Sequence, residues 1–200
     1  MPSLALHQLD GYEFVSRIGR GAGATISLVV ETATKREVAL KHVLRHNADD
    51  DRYIAQAETE YEIGHQLDHP HLRKYYSIMR VRRWLKIRHL YLLMEYIDGV
   101  RLEDRRPQDL LAAVSIFARV AEGLHAMHVA GFAHADIKPN NILLGKDGGV
   151  KIIDFGQSCP LGTAKKRLQG TPDYIAPEQV LRQKIDQRTD VFNLGATMYW

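Results

Sequence analysis

Two hundred residues, 45% of them apolar and 26% charged, suffice for one domain or two small lobes with a real core, and exclude a disordered or low-complexity chain. A net charge of +3 gives no ground to expect nucleic-acid binding. The single cysteine, Cys159, excludes an internal disulfide, suits a reducing, cytoplasmic setting and has no metal-ligand spacing around it.

The opening MPSLALHQLDG lacks the basic start and apolar centre of a signal peptide, and no apolar run approaches the ~18 residues of a membrane span. From Tyr12 to His42 the chain alternates and is rich in Val, Ile and Thr. YEFVSRIG, TISLVVET and REVALKH therefore predict three strands joined by turns. Asp51 to Gln66 predicts a helix with Ile54, Ala57, Tyr61 and Gly64 on one face, its start marked by capping acids. LRKYYSIMRV and IRHLYLLMEYI predict two further strands, and Asp98-Gly99 breaks the pattern. Leu110, Val114, Phe117, Ala121 and Leu124 repeat at helical spacing, which predicts a long helix from Asp109 to His128. NILL and VKII predict short strands around the turn KDGG, and a last helix opens near Arg188 and runs to Trp200. A strand-rich first half thus meets a helix-rich second half near Asp98.

Several short stretches carry chemistry. IGRGAG lies between two strands, so it is not a dinucleotide fingerprint, which needs a helix next. Glycines in a hairpin let backbone amides approach phosphate oxygens, although a plain tight turn has the same composition. Lys41 ends the apolar strand VALK, where an unpaired ammonium is costly unless it snorkels or meets an anion. The predicted first helix offers Glu58, Glu60 and Glu62. HADIKPNNILL places Asp136, Lys138, Asn140 and Asn141 close together before a buried strand, and Asp154-Phe155-Gly156 follows another strand. Each could be an ordinary polar loop or turn by itself.

The order of these parts, closed by Ala176-Pro177-Glu178, resembles the eukaryotic-type serine/threonine protein kinases. The resemblance spans Tyr12 to Trp200. It implies an α+β, bilobal fold: residues 1–11 an N-terminal extension, 12–97 an antiparallel β-sheet N-lobe, and 98–200 a mostly helical C-lobe. It implies ATP and Mg²⁺ as cofactors and a protein substrate with a Ser or Thr acceptor. Carried over residue by residue, Ile18, Gly19, Gly21 and Gly23 belong to the phosphate loop, with Gly23 at the usual aromatic tip and Ala24 in place of the third glycine. Ile26 and Ala39 roof the adenine and Leu143 floors it, while the backbone of Glu95 and Ile97 binds its edge behind Met94. Lys41 holds the phosphates and Glu60 holds Lys41. Asp136 orients the acceptor hydroxyl, Lys138 neutralises the transferred phosphoryl group, and Asn141 and Asp154 hold magnesium. Thr171 positions Asp136 and Lys138. His134 is expected to pack near Phe155 as a structural residue, and Asn140 to shape the loop.

Two departures from the family stand together. Ala135 occupies the place of an arginine that in many relatives pairs with an activation-segment phosphate, and Arg167 stands at the usual phosphosite. They imply a site that needs no such phosphate, or one switched by a partner. Basic clusters at Arg80, Arg82, Arg83, Lys86 and Arg88, and at Lys165 to Arg167, read as solvated surface or as sites for an acidic partner, an acidic substrate or a membrane surface. The resembled domain continues beyond the helix in which this chain stops, so Val191, Leu194, Met198 and Trp200 are expected to lose cover. A nucleotide-binding pseudokinase or a small-molecule kinase of related fold stays an alternative at this point.

Overall fold

A computed structural model describes residues 9–21 and 23–200; most of the expected N-terminal extension lies outside them. The chain divides into two compact units, one comprising the described residues up to Glu58 with Tyr75–Tyr96, the other Thr59–Lys74 with Ile97–Trp200.

The first unit is built on a five-stranded antiparallel sheet. Its strands are β1 (Tyr12–Gly21), β2 (Ala24–Glu31), β3 (Glu37–Leu44), β4 (Tyr75–Arg83) and β5 (Lys86–Glu95), in the order β1-β2-β3-β5-β4. Opposed residues share a face, as do alternate residues along a strand. Pairing of Ile26 with Lys41, Leu28 with Ala39 and Ala39 with Met94 therefore sets these side chains on one face. The other face carries the buried cluster of Leu9, Val29, Val38, Leu40, Tyr91 and Leu93. Helix α1 (Asp51–Gly64) follows a tight turn capped by Asn47, whose side chain accepts from the Asp49 N–H at 2.8 Å. Its buried face holds Ile54, Ala57 and Gly64, as the spacing predicts, and Glu60 as well.

His42, on β3, stacks on Tyr91 at 4.5 Å and faces His89, their ring nitrogens 3.0 Å apart. Burial, and then the charge of His89, push His42 down to about 4 from 6.5. The folded state thus resists protonation that the unfolded chain accepts. The stability this neutral ring permits is complete above 6.5 and is lost as pH falls from there towards 4. A loss of roughly 2 kcal/mol, discounted for partial solvent access, is expected in urea unfolding between about pH 7 and about pH 4.5. His42→Gln should flatten that slope; an unchanged slope would show that other groups set it.

The second unit begins where prediction and structure part. The strand expected from Leu72 starts at Tyr75. Leu72 instead bridges to Ile152, with the Arg73 N–H donating to the Ile152 carbonyl at 3.0 Å and the Ile152 N–H to that of His71 at 2.8 Å. Strand β6 (Gly99–Arg101), which the sequence reads as a break, pairs with β8 (Ile142–Gly145), and β8 with β9 (Val150–Ile152). Gly99 makes this pairing possible, because a Cβ there would sit 2.3 Å from the Leu144 carbonyl oxygen.

Helix α2 (Leu110–Val129) opens on Asp109, whose carboxylate accepts from the Ala112 N–H at 2.8 Å. Its buried stripe is Phe117, Val120, Gly123, Leu124 and Met127; Leu110, Val114 and Ala121 of the expected face lie exposed. Helix α2 is long and apolar enough to cross a bilayer by length and composition alone, yet it is not an unbroken apolar run. It carries Arg119 and Glu122 and packs on β9, on α4 (Gln187–Tyr199) and on β7 (Phe132–Ala133), which identifies a core helix. Strand β7 pairs with β10 (Cys159–Pro160) and β11 (Thr163–Ala164) with β12 (Lys184–Ile185), and the four-residue α3 (Pro177–Val180) packs against β12.

Helix α4 is amphipathic in the inverse sense. Thr189, Asp190, Asn193 and Thr197 are buried, whereas Val191, Phe192 and Met198 are exposed. Of the residues expected to be exposed, Val191 and Met198 are so. Leu194 and Trp200 are half-buried, and the Arg106 guanidinium lies 4.1 Å over the Trp200 ring.

Candidate active site

The segment between β7 and β8 brings the densest polar residues of the sequence together. Pro139 fixes the first position of a short 3₁₀ turn over Pro139–Asn141, and the Asn141 N–H donates to the Lys138 carbonyl at 2.9 Å. Asp136, 9% exposed, sits at the centre. One carboxylate oxygen accepts from Lys138 Nζ at 2.8 Å, and the other from Thr171 Oγ1 at 3.1 Å. Lys138 Nζ also donates to Thr171 Oγ1 at 2.7 Å, closing a triangle. A carboxylate so held can accept or orient the proton of an incoming hydroxyl, and the ammonium beside it can neutralise negative charge developing nearby.

Asn141 is buried, and its Nδ2 donates to the Asp136 carbonyl at 2.8 Å and to the Asp136 carboxylate at 3.2 Å. That fixes the amide and leaves Oδ1 for a cation. Asp154 is held in the left-handed region, φ 65°, with Oδ1 accepting from the Gly156 N–H at 3.4 Å. A non-glycine residue there carries backbone strain, so its carboxylate is set by the turn and not by chain preference. One carboxylate and one amide oxygen suit a hard divalent cation that keeps water and phosphate ligands, as Mg²⁺ does. Among the described residues no three His, Cys, Asp or Glu side chains gather as an all-protein metal site.

His134 is fully buried and meets Phe155 edge to face at 5.7 Å, the structural role the sequence suggests. Asn140 lies in the 3₁₀ turn, its side-chain oxygen buried without a hydrogen-bond partner. Leu143 lies buried on β8 and Ile97 precedes β6, both in the second unit with Glu60, which is buried on α1.

In the first unit Ile26, Ala39 and Lys41 share a sheet face with Met94, and Glu95 ends β5. Ile18, Gly19 and Gly21 lie on β1. Ala24 stands in β2 opposite Gly21 and Val43 without positive φ, so replacing the third glycine brings no strain. Gly23, φ 95°, lies so close to Tyr53 that a Cβ would sit 2.4 Å from its ring. A side chain at the loop tip would require Tyr53 to shift and would be strained by the positive φ.

Some residues of the site escape sequence reasoning. Asp190, fully buried on α4, accepts from the backbone N–H of His134 at 2.9 Å, from that of Ala135 at 2.7 Å, and from His128 Nε2 at 2.8 Å. Gln179 Nε2 donates to the Ala135 carbonyl at 2.8 Å. Together they hold Ala135 at φ 61°. The available signal was the polar spacing Thr189-Asp190, Asn193, Thr197 along one face of a helix. Glu178 accepts from Thr189 Oγ1 at 2.6 Å.

The Ala135 side chain points to how the activation segment is fastened. It is fully buried in an apolar cluster with Ala133, Cys159 and Ile185, against which Leu161 packs. Lys165 donates to the Gln157 carbonyl, and the Gly162 N–H donates to that of Ile185 at 2.7 Å. Burial lowers the Lys165 pKa, partly offset by Cys159, Asp136 and Asp190; burial raises that of the Cys159 thiol.

The family pattern described as protein kinase domain matches residues 12–200. The chain is similar to an Aurora kinase of Candida glabrata, 32% identical over 198 residues that make up 96% of this chain and 54% of the relative. It is similar to serine/threonine-protein kinase kin-29 of Caenorhabditis elegans, 32% identical over 98% of this chain and 24% of the relative. It is 30% identical to serine/threonine-protein kinase PknB of Mycolicibacterium smegmatis over 96% of this chain and 32% of the relative. The chain thus spans about half or less of the length of these relatives.

Proposed function

The chain belongs to the protein kinase domain family, and on that premise we propose that it transfers the terminal phosphoryl group of ATP to serine or threonine hydroxyls of protein substrates. The observation that carries this reading is the triangle of Asp136, Lys138 and Thr171. Phosphoryl transfer needs positioned charge more than covalent chemistry. Asp136 accepts or orients the proton of the substrate hydroxyl while Lys138 neutralises the moving phosphoryl group. Thr171 keeps both in place. Asn141 and Asp154 would hold the magnesium, which neutralises phosphate oxygens when bound. In the first unit the backbone of Gly19, Gly21 and Gly23 and the Lys41 ammonium serve the phosphates, while Ile18, Ile26 and Ala39 meet the base. Leu143, Ile97, Glu60 and Glu95 serve nucleotide binding in the same reading. The triangle and Ala176-Pro177-Glu178 support a protein acceptor over a small molecule. Buried Cys159 accords with a reducing, cytoplasmic setting. The test is ADP release in ATP and Mg²⁺, with and without a Ser/Thr peptide library. Stimulation by peptides supports the reading; tight ATP binding with no stimulated release would favour a nucleotide-binding scaffold.

The fastening of the activation segment supports independence from phosphorylation. Apolar packing around Ala135 and the Lys165 contact fasten the segment with no arginine at position 135. Phosphatase treatment is expected to leave the rate within about twofold, or roughly 0.4 kcal/mol of barrier. Ser158 is buried, its Oγ donating to the His134 carbonyl at 3.2 Å, which leaves Thr163 as the accessible hydroxyl in this stretch. A loss of about tenfold or more, about 1.4 kcal/mol, reversed by rephosphorylating Thr163, would contradict this.

A further inference from the structure

The tip of the β4–β5 hairpin is built against the interests of folding. Arg83 pairs with Lys86, so Trp84 and Leu85 form a two-residue loop. Trp84 is 88% exposed and Leu85 93% exposed, and Trp84 lies at φ 59°. A tight turn with positive φ selects Gly, Asn or Asp; a bulky residue there is strained, and its exposure brings no burial in return. Solvation accounts for the surrounding arginines but not for an indole and an isobutyl group at the apex.

Around the apex, Arg82, Arg83 and Lys86 are exposed. Arg88 donates to the carbonyls of Arg45 and His46, and Arg45 is paired with Asp51, whose carboxyl Lys86 also helps to hold below the usual range. A cleft of about 410 Å³ lies at the tip, lined by Arg45, Arg83, Lys86 and Arg88 together with Trp84 and Leu85. Cations in a cleft beside two exposed apolar side chains match a molecule with an anionic head and an apolar body.

We infer that this hairpin tip docks on an anionic membrane surface, with Trp84 and Leu85 entering the lipid interface and the cleft cations receiving an acidic headgroup. A membrane fits better than an acidic protein on grounds of size. A stable protein interface needs about 800 Å² from each partner, which a two-residue tip does not supply, whereas a lipid interface accepts single Trp and Leu side chains. The cytoplasmic leaflet carries the anionic lipid, on the side where the proposed use of ATP would place the protein. Docking itself does not depend on the catalytic reading.

The test is co-flotation with vesicles of phosphatidylcholine alone and of phosphatidylcholine with phosphatidylserine. Two variants are compared with the parent. One is Trp84→Gly with Leu85→Asn, which suits a two-residue turn whose positive φ falls at position 84 and should preserve the fold, checked by thermal melting and by peptide-stimulated ADP release. The other is Arg82→Gln, Arg83→Gln and Lys86→Gln. The parent should float with the anionic vesicles only, and less at high salt. Both variants should bind at least about tenfold more weakly. No flotation of the parent, or flotation unaltered by the turn variant, would overturn the inference. Capture of the parent by polyglutamate without flotation would overturn it too, and would indicate an acidic protein instead.

Discussion

Asp136→Asn is expected to lower kcat by roughly 10²–10⁴-fold while ATP affinity stays within about twofold. The asparagine keeps the shape of the side chain and one acceptor oxygen. It cannot keep the charge that orients an acceptor hydroxyl, and Lys138, 2.8 Å away, loses its carboxylate partner. The interaction removed acts mainly in the transition state, so the loss falls on kcat and not on nucleotide binding. Steady-state kinetics with calorimetric ATP titration separates the two. Turnover comparable to the parent would remove Asp136 from the mechanism.

Asp190→Ala should be the most destabilising single change at the site, by about 3–5 kcal/mol against a total of about 5–15 kcal/mol for a domain. The carboxylate is fully buried and accepts two backbone N–H bonds and one from His128. Removing it leaves those donors without an acceptor, each at about 1–3 kcal/mol if water cannot reach it. It also releases Ala135 from φ 61°, a conformation that costs a non-glycine residue about 1–2 kcal/mol. Urea unfolding should show the loss, and amide exchange at His134 and Ala135 should quicken relative to neighbouring buried amides. A change under about 1 kcal/mol would mean that water or another group satisfies the loop.

What the sequence revealed and what it hid divide along physical lines. Asp136, Lys138, Asn141 and Thr171 were legible because their chemistry is compressed into short motifs, and the structure brings them within hydrogen-bond distance. The first three strands of the first sheet were legible from alternation, and the other two from their apolar runs, apart from the start of β4. The face of α2 was misread because Leu110 and Val114 continue the apolar period beyond the buried stripe. Strand β6 was missed because Gly99 signals a turn in sequence, yet here it permits close backbone approach. Asp190 was missed because α4 buries its polar face, which reverses the usual rule. Ala135 was noticed as an absent arginine, but the apolar cluster that fills its place joins residues distant in sequence. Tertiary pairing of that kind leaves no local signal.

The most direct measurement of the central claim is mass-spectrometric mapping of phosphate on a protein substrate after incubation of the protein with ATP and Mg²⁺, beside the Asp136→Asn variant. The account predicts phosphate on serine and threonine, not on tyrosine, formed by the parent and nearly absent with the variant. Phosphate on no residue while ATP is bound, or equal phosphate with parent and variant, would contradict it.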